Sequence, residues 1–369
     1  MLSTSPRIAR FVACWATTLL LAGGCDRPEP GADASPATGT EATAGGEGAT
    51  VAGSDPTGPG DVPAAPATAT EVDTVREALP EGAEAVSLLG GALRPPELPD
   101  DVRATYEANL AAAERELAAD PEDADALIWY GRRLAYLGRY RDAIDVYTRA
   151  IGLHPGDARL YRHRGHRWIT VREPGLAVAD LRHAVELVAG TQDEVEPDGV
   201  PNERGIPTST LHFNIWYHLG LAHYLRGDFV QALLAWNECM AVSRHPDSVV
   251  ATAYWLNNVL RRLDLDARAD SVLADIDAGM DIIESTSYLD VLLLWKGERT
   301  PEQLRSAGAD EGALASVTTE YGIGMWRFAR GRRERAYELW ESILEREGQW
   351  AAFGSIAAEA ELARVDGEG

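Results

Sequence analysis

The segment Tyr161-Arg162-His163-Arg164-Gly165-His166-Arg167 sets three arginines and two histidines within seven residues of a chain whose net charge is −24. A guanidinium is a planar, permanent cation whose donors match a carboxylate, so such a cluster suits carboxylates or extended peptides. Imidazoles offer other chemistry, namely metal ligation or proton transfer. All eight histidines lie between His154 and His245, with His212, His218 and His223 following the first group. A metal site needs several ligands converging on one point. The sequence has no close His-x3-His pair backed by Cys or carboxylate, so structural histidines are expected and a metal is not. The acidic run Gln192-Asp193-Glu194-Val195-Glu196-Pro197-Asp198-Gly199 lacks the full calcium-loop spacing and reads as a solvated insertion. No Gly-x-Ser-x-Gly, phosphate loop, His-Glu-x-x-His or dinucleotide fingerprint occurs. No catalytic residue and no cofactor is expected, and the chain reads as a non-enzyme.

Composition narrows the partners. Of 369 residues, 58 are Asp or Glu and 34 are Lys or Arg. Such a surface repels a phosphate backbone, which argues against nucleic acid. Only Lys296 is a lysine, so arginine supplies nearly all the positive charge.

The N-terminus reads as an address. Arg7 and Arg10 precede an apolar stretch from Phe11 to Leu21, too short to span a bilayer. It ends in Leu21-Ala22-Gly23-Gly24-Cys25, which resembles a bacterial lipobox, with residues 1–24 as signal peptide. The resemblance implies a lipid on Cys25 that anchors the mature chain without a spanning helix. Losing Arg7 and Arg10 takes the net charge from −24 to −26. Cys14 leaves with the leader and Cys239 stands alone, so no intramolecular disulfide is available. Cys239 falls in a helical pattern, where it acts as a small hydrophobe. The expected location is the bacterial cell envelope, facing the periplasm or cell surface.

Residues 26–70 are almost free of large apolar side chains and cannot bury enough surface to offset their ordering entropy. Residues 25–97 are therefore read as a disordered tether, with a short helix near Glu71–Leu79. About 70 flexible residues give an r.m.s. span of about 45–50 Å.

From about residue 98 to 366 the pattern turns helical and repeats. Gly131 and Gly165 are 34 apart, as are Ala143 and Ala177. Gly220 follows 55 residues after Gly165, a 21-residue excess that falls in the polar stretch 190–209. The glycines let two helices of a hairpin approach, and Ala143, Ala177 and Ala232 do the same from the second helix. Gly165 and Ala177 are expected to face each other. Aromatics such as Tyr147, Trp236 and Trp340 fill the space between hairpins.

These residues resemble the tetratricopeptide repeat (TPR) family. The units are about 124–157, 158–191, 213–246, 250–280, 286–308 and 317–348. A polar-faced capping helix follows at 350–364, and a helix at 101–119 packs on the front. The fold expected is an all-α solenoid of TPR-type helical hairpins on a disordered N-terminal tether. The resemblance also implies which positions face a concave groove: Asp125, Arg132 and Tyr136, then Arg159, Arg162 and His166, then Asn214, Tyr217 and Tyr224. Chaperone-binding relatives clamp a terminal carboxylate with lysines and asparagines. Arg132 stands at one clamp position and Ile128 at another, so that activity is not expected. The function expected is a protein–protein interaction scaffold or adaptor that binds a protein or peptide, notably an acidic segment, in this groove. The alternative is a periplasmic small-ligand or anion receptor using Arg132, Arg162 and His166.

Overall fold

A computed structural model describes residues 65–367 except 312 and 347, so the signal peptide, Cys25 and residues 26–64 lie outside the described residues. The described residues form an all-α solenoid built from stacked helix pairs. The pairs are α3 (Ala124–Tyr136) with α4 (Tyr140–Leu153), α5 (Ala158–Thr170) with α6 (Pro174–Val188), and α7 (Leu211–Arg226) with α8 (Phe229–Val242). Next come α9 (Pro246–Arg262) with α10 (Asp266–Leu273), α11 (Thr286–Lys296) with α12 (Pro301–Glu311), and α13 (Ala313–Phe328) with α14 (Arg333–Leu344). In front lies α2 (Asp100–Ala119), packed on α3. No helix among the described residues is long and apolar enough to cross a membrane.

Local chemistry starts and stops these helices. The side chains of Asp123, Asp157 and Thr210 accept hydrogen bonds from first-turn amides of α3, α5 and α7, satisfying donors that a helix start leaves unpaired. The turn within each pair needs a left-handed residue. Gly138, Gly227, Gly297 and Gly331 supply it in four pairs, and Arg172 (φ 66°) and Asp264 (φ 56°) in the other two. A side chain in that conformation costs about 1–2 kcal/mol. At Arg172 the cost is offset by burial against Glu359, Nη2 to Oε2 at 2.8 Å, and by the Trp350 carbonyl at 2.7 Å.

The small residues work as expected, with one shift of register. A β-carbon on Gly131 would sit 2.5 Å from the Tyr147 ring, on Gly165 2.7 Å from Leu181, and on Gly220 2.5 Å from the Trp236 ring. Gly165 thus faces Leu181 rather than Ala177, one helical turn further along α6. The bulky residue fills the hole left by the glycine, while Ala143, Ala177 and Ala232 are wholly buried beside it. Trp236 also stacks on Trp255 of α9, with centroids 5.6 Å apart, so it fills its own hairpin and seals the next. Such a pair adds about 0.5–1.5 kcal/mol beyond area burial.

Two parts depart from the expectation. The short helix expected near Glu71–Leu79 is present as α1 (Ala69–Glu77), but the residues after it, assigned by composition to the tether, form a two-stranded ladder, β1 (Ala85–Val86) and β2 (Ala92–Leu93). A capping box between Thr68 and Glu71 starts α1, and Arg76 pairs with Asp142 of α4 at 2.9 Å. Glu84 takes the Arg141 amide at 2.8 Å and its Nε at 2.7 Å. The last helix, α15 (Phe353–Gly367), is no polar-faced cap. Residues 354–361 are all buried, and α15 packs on α7, α13 and α14. Its alanines permit close approach, and its two buried acids meet arginines: Glu359 pairs with Arg172, and Glu361 with Arg262 and Arg364.

Candidate partner-binding groove

The first helices of the early pairs, α3, α5 and α7, lie side by side and carry the groove residues on one face. Arg132 sits in the third turn of α3 above Trp129, its guanidinium 4.4 Å from the ring centroid. Arg133 stacks on the same ring at 4.9 Å. Tyr136 follows one turn later and packs on Tyr106 of α2, with centroids 5.7 Å apart. Arg162 of α5 and Asn214 of α7 complete the face, and Arg132, Arg162 and Asn214 are all buried.

This face already holds a ligand, and the ligand is the chain's own acidic insertion. Glu196 places Oε2 2.9 Å from Arg162 Nε and 3.1 Å from Asn214 Nδ2. The Pro197 carbonyl accepts from Arg132 at 2.8 Å, and the Gly199 carbonyl from Arg133 at 2.9 Å. Gly199 lies so close to the groove wall that a β-carbon there would overlap the Tyr136 hydroxyl. The insertion is pinned at its base by a bridge between Val195 and Thr210, and Asp193 takes the Thr210 hydroxyl at 2.7 Å and the His212 amide at 3.0 Å. Further along, Arg204 pairs with Asp281 at 2.8 Å, and Thr208 donates to Glu284 at 2.7 Å. The reading of 192–199 as a solvated insertion is corrected: its carboxylate and carbonyls are drawn in by three arginines that have few other acceptors.

Electrostatics records the crowding. Burial lowers the Arg162 pKa, and Glu196 opposes that shift. Burial, followed by Arg162, holds His163 well below the usual imidazole range. His166 and His218 are held down in the same way by burial and then by the neighbouring arginines Arg167 and Arg162, respectively. Asp198 moves the other way, up to about 6, through burial and then through Glu284.

The remaining expected residues part company. His166 touches His218 at 4.4 Å between centroids, and Phe353 of α15 caps both at 5.3 and 5.6 Å. Tyr217 meets the Tyr288 hydroxyl at 3.1 Å and accepts from Trp255 at 2.7 Å. Tyr224 is fully buried and donates to Glu361 of α15 at 2.8 Å, with Tyr321 beside it at 2.8 Å. Arg159 lies apart from the groove, held by Asp125 and Asp157 at 2.6 Å each. It borders an open cleft of about 680 Å³ with His154 and Glu194. Arg132, Tyr136, Arg162 and Asn214 therefore form one site; Arg159, Tyr217 and Tyr224 do not join it, and His166 lies on its border with α15. Sequence reasoning missed Arg133, Glu196 and Gly199. A signal was present: an insertion rich in carboxylates, directly after two repeats whose groove positions include arginines. Among the described residues no group of three or more His, Cys, Asp or Glu side chains is placed to hold a metal.

Residues 124–166 match the tetratricopeptide repeat. No curated protein matches the chain. Solved structures similar to it include MamA, at 18% identity over 48% of this chain and 90% of that one, TM-score 0.36. Another is YrrB, described as a TPR protein with an unusual peptide-binding site, at 14% identity over 70% of this chain and 99% of that one, TM-score 0.38. Yeast Tom70 matches at 13% identity over 74% of this chain and 62% of that one, TM-score 0.27.

Proposed function

We propose that the protein is a non-enzymatic interaction scaffold of the bacterial cell envelope, anchored by lipid on Cys25. Its arginine-lined groove binds an acidic segment of a partner protein in exchange for its own insertion. The observation that carries this reading is the way Arg132, Arg133 and Arg162 grip residues 196–199 through two carbonyls and one carboxylate. That is peptide-recognition chemistry, and backbone carbonyls on another chain present the same acceptors. The insertion is suited to leave. It is held by polar contacts more than by buried apolar area, and Val195 and Ile206 stay exposed; segments of this kind open at low free-energy cost.

Capture from native membranes tests the proposal. Gly199→Val, which drives the insertion off Tyr136, should capture more partner than wild type, and Arg132→Glu with Arg162→Glu should capture none while helical circular dichroism is retained. Equal capture by all three folded proteins would place the partner elsewhere. Cys25→Ser should release the protein from membranes; unchanged fractionation with an unchanged mature N-terminus would contradict the anchor.

A further inference from the structure

A second cationic site lies far along the chain from the groove. Helices α12, α13 and α14 border an open cleft of about 250 Å³ lined by Arg305, Arg327, Arg335, Glu338, Leu339 and Ser342. Arg332 of the α13–α14 turn acts on Arg327, while Arg330 and Arg333 stack on the rings of Trp326 and Phe328. Among the described residues no carboxylate pairs with Arg305, Arg327, Arg330, Arg332 or Arg333, and Arg335 has only the exposed Glu338 at 3.4 Å. Elsewhere arginines such as Arg164, Arg172 and Arg204 each hold a carboxylate within 3 Å. In a chain with 58 acidic residues, an arginine cluster without such partners is unusual.

The cluster repels itself. Arg327 is partly buried, and its pKa is lowered by burial and then by Arg305, Arg335 and Arg332. Glu302 of α12 and the exposed Glu338 offset only part of this charge. Arg330 is also fixed in place, stacked on Trp326 at 4.2 Å and on Trp295 at 5.1 Å.

We propose that this cleft binds a phosphoryl group. A carboxylate carries one charge and satisfies one guanidinium fork, whereas three guanidinia lining one cleft suit the several oxygens and higher charge of a phosphate ester. The volume exceeds that of a bare phosphate, and the buried Leu339 gives the ester substituent an apolar floor. A phospholipid headgroup and a soluble phosphate ester supply the same chemistry. The overall negative charge does not prevent binding, because beyond about 8 Å it is screened at physiological salt.

Isothermal titration of the full-length chain decides the matter. The probes are inorganic pyrophosphate, dihexanoyl-phosphatidylglycerol below its micelle concentration, and dihexanoyl-phosphatidylcholine. Pyrophosphate should bind, weaken as salt rises, and lose at least tenfold in affinity in Arg305→Gln with Arg335→Gln. Glu338→Gln, which removes the one carboxylate in the cleft, should tighten binding severalfold, an outcome misfolding cannot mimic. Tighter binding of the phosphatidylglycerol probe than of pyrophosphate, with the phosphatidylcholine probe much weaker, would assign the site to an anionic headgroup; the reverse order would assign it to a soluble ester. No binding of pyrophosphate or phosphatidylglycerol by wild type, or affinities unchanged in both variants, would overturn the proposal.

Discussion

The Arg162–Glu196 pair makes an unequal demand on its two partners. Both are nearly excluded from water, with side chains 6% and 10% exposed. Removing one member of a buried pair usually costs about 3–5 kcal/mol, because the other charge is left unpaired. Here the partners differ in what they can do next. Glu196 rides on an insertion that can carry it back to water. Arg162 is fixed on α5, with Arg132 and Arg167 adding like charge and the His163 imidazole 3.0 Å away. Glu196→Gln should therefore cost about 3 kcal/mol. Arg162→Met keeps the aliphatic stem, relieves the repulsion and lets Glu196 swing out, so it should cost no more than about 1 kcal/mol, near the low end for a lost hydrogen bond. For a body of this size roughly 2 °C of melting temperature follows each kcal/mol. Thermal melts at pH 7.5 should show Glu196→Gln about 6 °C below wild type and Arg162→Met within about 2 °C. If Arg162→Met melts as low as Glu196→Gln, the insertion is a rigid part of the fold and the claim that it can leave the groove fails.

Three further outcomes follow from the geometry. Burial and neighbouring arginines depress His163, His166 and His218, so below about 6.5 the unfolded chain binds more protons; stability should be complete above that pH and fall as pH drops, and a melting temperature flat from pH 7.5 to 5 would contradict it. Asp198 is raised from 3.8 to about 6, so insertion docking should be tightest below the lower value and weaken as pH rises through about 6; hydrogen exchange of 192–210, corrected for intrinsic rates, should show this trend and lose it in Asp198→Asn. Gly220→Ala would place a methyl 2.5 Å from the Trp236 ring and should destabilise by about 1–3 kcal/mol in urea titration; a neutral result would mean that this hairpin has slack.

The repeats were legible because their chemistry is local. Gly131, Gly165 and Gly220 mark positions where a side chain cannot fit, and the 34-residue spacing carries the register from one pair to the next. The hairpin partner was misplaced by one turn because alanine and leucine at 177 and 181 are both apolar, and periodicity alone does not say which one meets Gly165. The destination of α15 was not legible. An alanine-rich helix with scattered acids looks alike at a solvent-facing end and against the first helices, and only the distant Arg172 and Arg262 decide. The helix near 71–79 was legible because its capping box is local, whereas residues 80–93 were read as tether because their order comes from distant segments: Glu84 meets Arg141 of α4, Leu88 donates its amide to Glu359 of α15, and the neighbouring Arg94 carbonyl accepts from Trp350 at 2.6 Å. The repeat resemblance brought Arg132 and Arg162 onto one face, but not the segment that lies against them, because composition alone makes an acidic insertion look solvated.

The central claim is that the groove recognises an acidic segment and that residues 192–199 occupy it in cis. A fluorescent peptide of the sequence Gln192 to Gly199, titrated in trans against wild type and Gly199→Val, tests this most directly. The account predicts saturable binding to Gly199→Val, at least tenfold weaker binding to wild type, and none to Gly199→Val carrying Arg132→Glu and Arg162→Glu. Equal affinity for wild type and Gly199→Val, or no binding to a folded Gly199→Val, would contradict it.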